Sequence, residues 1–426
     1  NRAGNSCKKK DSIQMKNKQL VFMCVVFALV AIVYLASSGG SGEPQMIIGQ
    51  EPLSGLPVGK IQSIQITSIN ETSAALETLT LTRGKDAWIV GNGRDYPADS
   101  DRIERFVKEF TEMKVLREVP ASASQLGRIH LLDPDNGGNH TATQVTLLGS
   151  DKKVVHTLHL GKEIAPAQAS DSTSVFGGGS FPDRRFIMLN GNRETIAVVD
   201  QTFSNANPTP SDWLNKDFFK IENPKSIAVN YAGGQSTNSW KIANKDINGT
   251  EEWVFDNAKK GEKLDTSSAP TSPLSSPSFK DIANAEQAKS LDANATKIEV
   301  NTSDGFRYTI TTSQKNADGD YALKMDVNGT FPEKREAKAD EKPEDKDGLD
   351  KTWAEAQVKL KSKLETEKKF TKWIYLVEGY AVDSILKKRS ELLSEKDADA
   401  TKPPTGGTAP LPPFRNLPPF QPKPGN

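Results

Sequence analysis

One order of elements is written twice in this chain. From about residue 60 to 200, and again from about 225 to 377, it reads as three apolar-alternating strands, an amphipathic helix and four more strands. A chain that repeats itself at this scale is constrained to two like units, because each half must bury its own apolar face. In the first copy Ile61, Ile64 and Ile66 alternate with polar residues. Residues 76–81 (LETLTL) and 87–90 (AWIV) follow, separated by a turn at Gly84-Lys85-Asp86. Ile103, Phe106, Val107, Phe110 and Met113 then recur at helical spacing, with Asp101 and Glu104 as a capping signal. Segments 143–148, 154–160, 185–189 and 195–199 read as four further strands, and Asn190-Gly191 marks a tight turn.

In the second copy, 226–230 (SIAVN), 239–242 (SWKI) and 252–255 (EWVF) match the opening strands, with Trp253 in the place of Trp88. Residues 279–291 read as the helix, and 297–300, 306–312, 321–327 and 373–377 as the later strands. Asp304-Gly305 and Asn328-Gly329 are read as turns, the latter as the counterpart of Asn190-Gly191. Two departures mark this copy. Residues 257–277 are polar and rich in Pro and Ser, and read as a disordered loop. A charged insertion at about 330–370 places Trp353, Ala356, Leu360 and Leu364 at helical spacing, which predicts a protruding or loosely packed helix. A last helix is expected from Ala381 to about Leu393.

The expected fold class is therefore α+β: an N-terminal transmembrane helix followed by two tandem, duplicated, mainly antiparallel β units, each with one packed helix. The boundaries are 1–14 (an upstream extension, since Met15 reads as a natural start), 15–36 (anchor), 37–59 (flexible linker), 60–222 (first unit), 223–398 (second unit) and 399–426 (Pro-rich disordered tail). The anchor is the uncharged run LVFMCVVFALVAIVYLA, opening on Leu20 and closing on Ala36, with Lys16 and Lys18 before it. That length is near the lower limit for spanning a bilayer, and the basic flank keeps the N-terminus in the cytoplasm. The small residues Ala36-Ser37-Ser38 leave a cleaved signal peptide as the alternative. Either route exports the body, so the bulk of the chain is expected outside the cytoplasm.

Lys plus Arg and Asp plus Glu both number 55, so the chain has no basic footprint and nucleic acid is not an expected partner. Cys7 and Cys24 are the only cysteines, and nothing after residue 24 can form a disulfide or a thiolate site. The four histidines are His130, His140, His156 and His159, all in the first copy. His156 and His159 are three apart on a predicted strand, so they face opposite ways and do not share a metal. Phe176-Gly177-Gly178-Gly179-Ser180 lacks the Lys-Ser/Thr and helix of a phosphate loop and reads as a plain loop. Trp88 and Trp253 read as core anchors. The residues thus predict no catalytic, cofactor or metal site and no small-molecule ligand. The tail carries Leu411-Pro412-Pro413-Phe414 and Leu417-Pro418-Pro419-Phe420, a polyproline II pattern able to dock in an aromatic groove.

The anchored N-terminus, then KIQSIQI, LTLTR, WIV and YPADSDRIERFVKEFTEMKV, and later VTLLGSD, HTLHLGK and IAVVD, resembles the bacterial domain of unknown function family 4340, best over about residues 58–220. The resemblance implies an exported protein anchored in a bacterial inner membrane with the bulk of the chain periplasmic (or, if the signal is cleaved, a periplasmic one), in some members an auxiliary to ABC-type export systems of the gliding-motility kind. It carries over no functional residues. The expected role is binding or assembly with protein partners, as an accessory subunit of an ABC-type transport or envelope complex. A structural envelope or surface protein is the alternative, followed by an enzyme acting on envelope polymers.

Overall fold

A computed structural model describes residues 46–166, 181–291, 294–337 and 341–394, and builds from them two antiparallel sheets with few helices. The first sheet contains β1 (Ser63–Ile69), β2 (Leu76–Arg83), β3 (Trp88–Val90), β4 (Tyr96–Pro97), β5 (Val115–Glu118), β6 (Thr143–Leu148), β7 (Val154–Ile164), β8 (Arg184–Leu189) and β9 (Ala197–Val199). Its order is β4-β3-β2-β1-β6-β7-β8-β9-β5. The second holds β10 (Pro224–Asn230), β11 (Trp240–Ile247), β12 (Thr250–Phe255), β13 (Asp281–Ile282), β14 (Thr296–Thr302), β15 (Phe306–Thr312), β16 (Asp320–Gly329) and β17 (Tyr375–Glu378). Its order, β12-β11-β10-β14-β15-β16-β17-β13, follows the first from β3 to β5 position by position.

Register carries the same correspondence. Ile64 lies opposite Leu81 and Leu147, and Leu81 opposite Val90; Ile227 lies opposite Ile242 and Val300, and Ile242 opposite Phe255. All eight are buried. Trp88 and Trp253 each precede the end of such a row by two residues, so they occupy equivalent positions. Both are only partly buried against the core, whereas Trp213 and Trp240 are the deeply buried indoles.

Helix α1 (Ser100–Glu112) forms where its apolar stripe predicts and buries Ile103, Phe106, Val107 and Phe110, each worth about 1.5–3 kcal/mol of transfer from water. Its cap is Asp99 rather than Asp101: the Asp99 carboxylate accepts from the Arg102 backbone N–H. The short strands β4, β5 and β13 were not expected.

Several expectations are corrected. Of residues 279–291 only α2 (Ala285–Lys289) is helical. The preceding stretch is extended because the N–H groups of Lys280 and Ala283 donate to the carbonyls of Leu376 and Ile374. Asn328-Gly329 is not a turn but the end of β16, opposite Arg307 and Phe306. Gly329 is needed for close approach: a Cβ there would lie 2.6 Å from the Phe331 ring and 3.0 Å from Leu364. The Asn-Gly hairpin of this sheet is Asn248-Gly249, between β11 and β12, with φ of 56° and 82°.

Residues 257–277 are packed rather than disordered. Leu264 and Leu274 are buried, Leu264 bridges Leu393, and the Asp265 N–H donates to the Leu392 carbonyl. The expected helix from Ala381 to Leu393 shortens to α4 (Gly379–Val382), numbered here after the long α3 (Lys346–Lys368) of the charged insertion, plus a turn at Arg389–Leu392. The carbonyls of Leu386 and Lys387 are taken by the Tyr231 hydroxyl and the Trp240 indole N–H, which competes with helical pairing.

The presumed linker is also partly folded. Met46, Leu53 and Leu56 are buried, and the Gly49 N–H donates to the Val115 carbonyl while Val115 donates back to Gln50. One apolar core runs through both sheets and through the connection between them, which buries Phe203, Trp213, Phe219 and Ile221. Tyr96 of β4 stands edge-on to Phe279, Trp373 and Tyr375 of the second unit, and burial pushes its phenol up to about 12. Beside it the Arg94 guanidinium grips the Asp281 carboxylate with two bonds, 2.9 and 2.6 Å. No helix among the described residues is long and apolar enough to cross a membrane. The run 20–36 and the tail 399–426 lie outside them.

Candidate functional site

The cleft in which titratable side chains converge has a volume of about 550 Å³ and opens beside β1, β6 and β7. Its lining includes Asn70, Glu71, His130, His140, Arg185 and Asn207. Local folding brings the two histidines together. A 3-10 turn at Ala123–Ile129, with a Ser122/Gln125 capping box, delivers His130 at its C-terminal end in the left-handed region, φ 55°. Asp133-Pro134-Asp135-Asn136 turns the chain, with the Asp133 carboxylate accepting from the Asp135 N–H. Gly137 (φ 68°) and Gly138 (φ 91°) then return it to His140, also left-handed at φ 65°. The bridge between Leu132 and Thr141, and the Ala142 N–H on the Leu132 carbonyl, lock the two arms side by side.

The imidazoles meet as a result: His130 Nε2 and His140 Nδ1 are 3.0 Å apart, with ring centres separated by 4.7 Å. One nitrogen must donate and the other accept, so the accepting ring is neutral in this contact. Partial burial, then the neighbouring charges of His140, Lys162 and Arg185, hold the His130 pKa below the usual imidazole value, while Glu71 acts the other way. Gly161 of β7 makes room for the His130 turn, since a Cβ there would sit 2.4 Å from the Ile129 carbonyl oxygen. Arg185, in the floor, is committed to structure. Its Nε–H donates to the Gly161 carbonyl at 2.7 Å and Nη1 to that of Thr202 at 2.9 Å.

At the rim, Asn70 accepts from the N–H groups of Thr72 and Ser73 and donates to Glu77, fixing the β1–β2 turn that carries Glu71. Chemically, the cleft offers a pair of imidazoles at its centre, one ring nitrogen donating to the other, and one carboxylate at its edge. Among the described residues no set of three or more His, Cys, Asp or Glu side chains is already gathered round one point.

The residues singled out from the sequence lie elsewhere. His159 is buried on β7, 3.2 Å from Gln144, and His156 stands three residues along the same strand. The segment 176–180 and the motifs at Leu411–Phe414 and Leu417–Phe420 lie outside the described residues. The pairing of His130 with His140 was missed, although a signal existed: the sequence DPDNGG between them is a strong reversal, and a reversal brings its ends together.

Compared with the curated proteins and with the solved structures, the chain matches none. A family model does match, over residues 88–304. The match begins at Trp88 and ends in the β14–β15 turn, so it starts later and runs further than the resemblance over 58–220 and crosses from one sheet into the other. Half the chain is covered, and the chain belongs to the family described as Domain of unknown function (DUF4340).

Proposed function

We propose that this chain works by binding and assembly, as a membrane-anchored, exported accessory subunit of an ABC-type transport or envelope complex. In this reading the two sheet units are a duplicated module, the run 20–36 is the anchor, and α3 is the arm that meets a partner.

The observation that carries the reading is the way α3 is held. This 23-residue helix buries only Leu364 and Glu367, both near its C-terminal end. There the Glu367 carboxylate accepts from the Tyr308 hydroxyl at 2.7 Å and from the Lys220 N–H at 3.1 Å. Arg335 ties the other end through Glu341 and Asp350. Between these points Val358 is 68% exposed, and Leu349 near the start of the helix is 44% exposed. A helix held at its ends and bare along one side is a rigid, presentable surface, and exposed apolar residues on such a surface suit a protein partner. The partner favoured is the outward-facing part of a polytopic membrane subunit, because the anchor would keep the body at that height.

The test uses the absence of cysteine after residue 24. Val358→Cys, in a chain with Cys7→Ser and Cys24→Ser, carries a photo-crosslinker in native membranes. An adduct with a membrane-complex subunit is expected. Adducts only with soluble proteins, or none, would overturn the reading. The cleft at His130 and His140 favours one second reading, an enzyme acting on envelope polymers, for which turnover lost in a His140→Asn variant is the discriminating measurement.

A further inference from the structure

We propose that His130 and His140 form a two-imidazole site for a divalent transition metal ion of the zinc, nickel or copper type, its remaining positions filled by water or by Glu71. The inference stands apart from the assembly role of α3, which lies in the other unit.

The geometry is the first support. Two imidazole nitrogens bound to one such ion at about 2.0–2.1 Å stand ~3.0 Å apart at a right angle and ~3.4 Å apart at the tetrahedral angle. His130 Nε2 and His140 Nδ1 are 3.0 Å apart. The fold of the loop brings the two rings within contact of each other. Both residues sit in the left-handed region, and the Leu132–Thr141 bridge fixes the distance between their arms.

Ligand chemistry is the second support. Neutral imidazole suits zinc, copper and nickel, whereas calcium and magnesium require oxygen ligands that the pair does not supply. The present contact shares one ring proton. A cation entering between the rings requires that proton to move to the other nitrogen of its own ring, so binding to the neutral pair releases no net proton. Lys162 and Arg185 contribute positive charge, and Glu71 opposes it.

The experiment uses the full, tag-free chain in detergent, again with Cys7→Ser and Cys24→Ser, titrated calorimetrically with zinc chloride and with nickel chloride at pH 7.5. The variants are His130→Asn and His140→Asn, because Asn tolerates the left-handed backbone and keeps the loop while removing the imidazole. His159→Asn is the control. One equivalent of metal is expected, weakened at least about tenfold by either cleft variant and unchanged by the control. No binding up to about 1 mM metal, binding that survives both cleft variants, or binding lost equally in the control would each overturn the proposal.

Discussion

The two units share a strand order but not a cover. In the first, α1 lays four buried side chains into the core. In the second, the corresponding helix is five residues long and buries nothing, and its place is taken by two irregular segments. These segments, 257–279 and 379–393, bring in Leu264, Leu274, Phe279, Val382, Ile385 and Leu392. They are stitched by backbone bonds, by Tyr231 and Trp240, and by Arg389, which reaches Asn257 and Glu262 from over the Phe255 ring. The comparison teaches that the sheet, not the helix, is the invariant part of the module. A row such as Ile227–Ile242–Phe255 asks only for apolar volume above it, and volume can come from a helix or from tied loops.

The comparison can be broken most directly at the junction. Tyr96→Ala removes the first unit's ring from the aromatic group at Phe279, Trp373 and Tyr375, and should cost about 3–5 kcal/mol. With the weld weakened, urea unfolding followed by hydrogen exchange should resolve two steps, one per sheet, where the native chain shows one. An unchanged midpoint would mean that the units do not depend on each other.

A medium effect is expected at the foot of α3. Glu367→Ala leaves the Tyr308 hydroxyl and the Lys220 N–H without their acceptor, at about 2–3 kcal/mol. Loss of exchange protection should fall on β15, β16 and α3 and spare α1. If α1 loses protection equally, the second unit's arm is not a local addition.

The smallest effect is one of pH and separates the units by composition. Burial holds the pKa values of His156 and His159 below the ordinary imidazole value of about 6.5. The unfolded chain therefore takes up protons first, so first-unit stability falls as pH drops through that value and levels off below the folded pKa values. Glu367, whose carboxyl is pushed up by burial, works in the opposite sense and favours the second unit as pH falls. His159→Gln should flatten the acid slope of the first unit alone, read by exchange at about pH 7.5 and 5.5, on either side of the imidazole range. An identical slope in the variant would remove burial of His159 as its cause.

Much of the frame was legible because period-two alternation is kept in strands such as β14 and β15, and because α1 carries an uninterrupted stripe. What was not legible has physical causes. Strands of two to four residues, such as β4, β5 and β13, are too short to display a period. Residues 257–277 are polar on average, yet two leucines suffice to hold them once Leu392 and Leu393 lie opposite. Gly329 looked like a turn because sequence does not distinguish a glycine needed for φ from one needed for room. The histidine site depended on a loop closing over DPDNGG, and the residues it joins have no regular spacing.

The neighbour relations of the sheets have a consequence for how the chain is made. Ile64 in β1 is paired on one side with Leu81, close behind it, and on the other with Leu147, well downstream; Ile227 is likewise placed between Ile242 and Val300. A polypeptide emerging N-terminus first presents each opening meander with one bare edge until the later strands arrive. Long-range pairing of this kind is slow to form. During that interval the newborn meander is the part of the molecule most open to capture by a chaperone or by another meander, and the second copy repeats the same exposure a unit later.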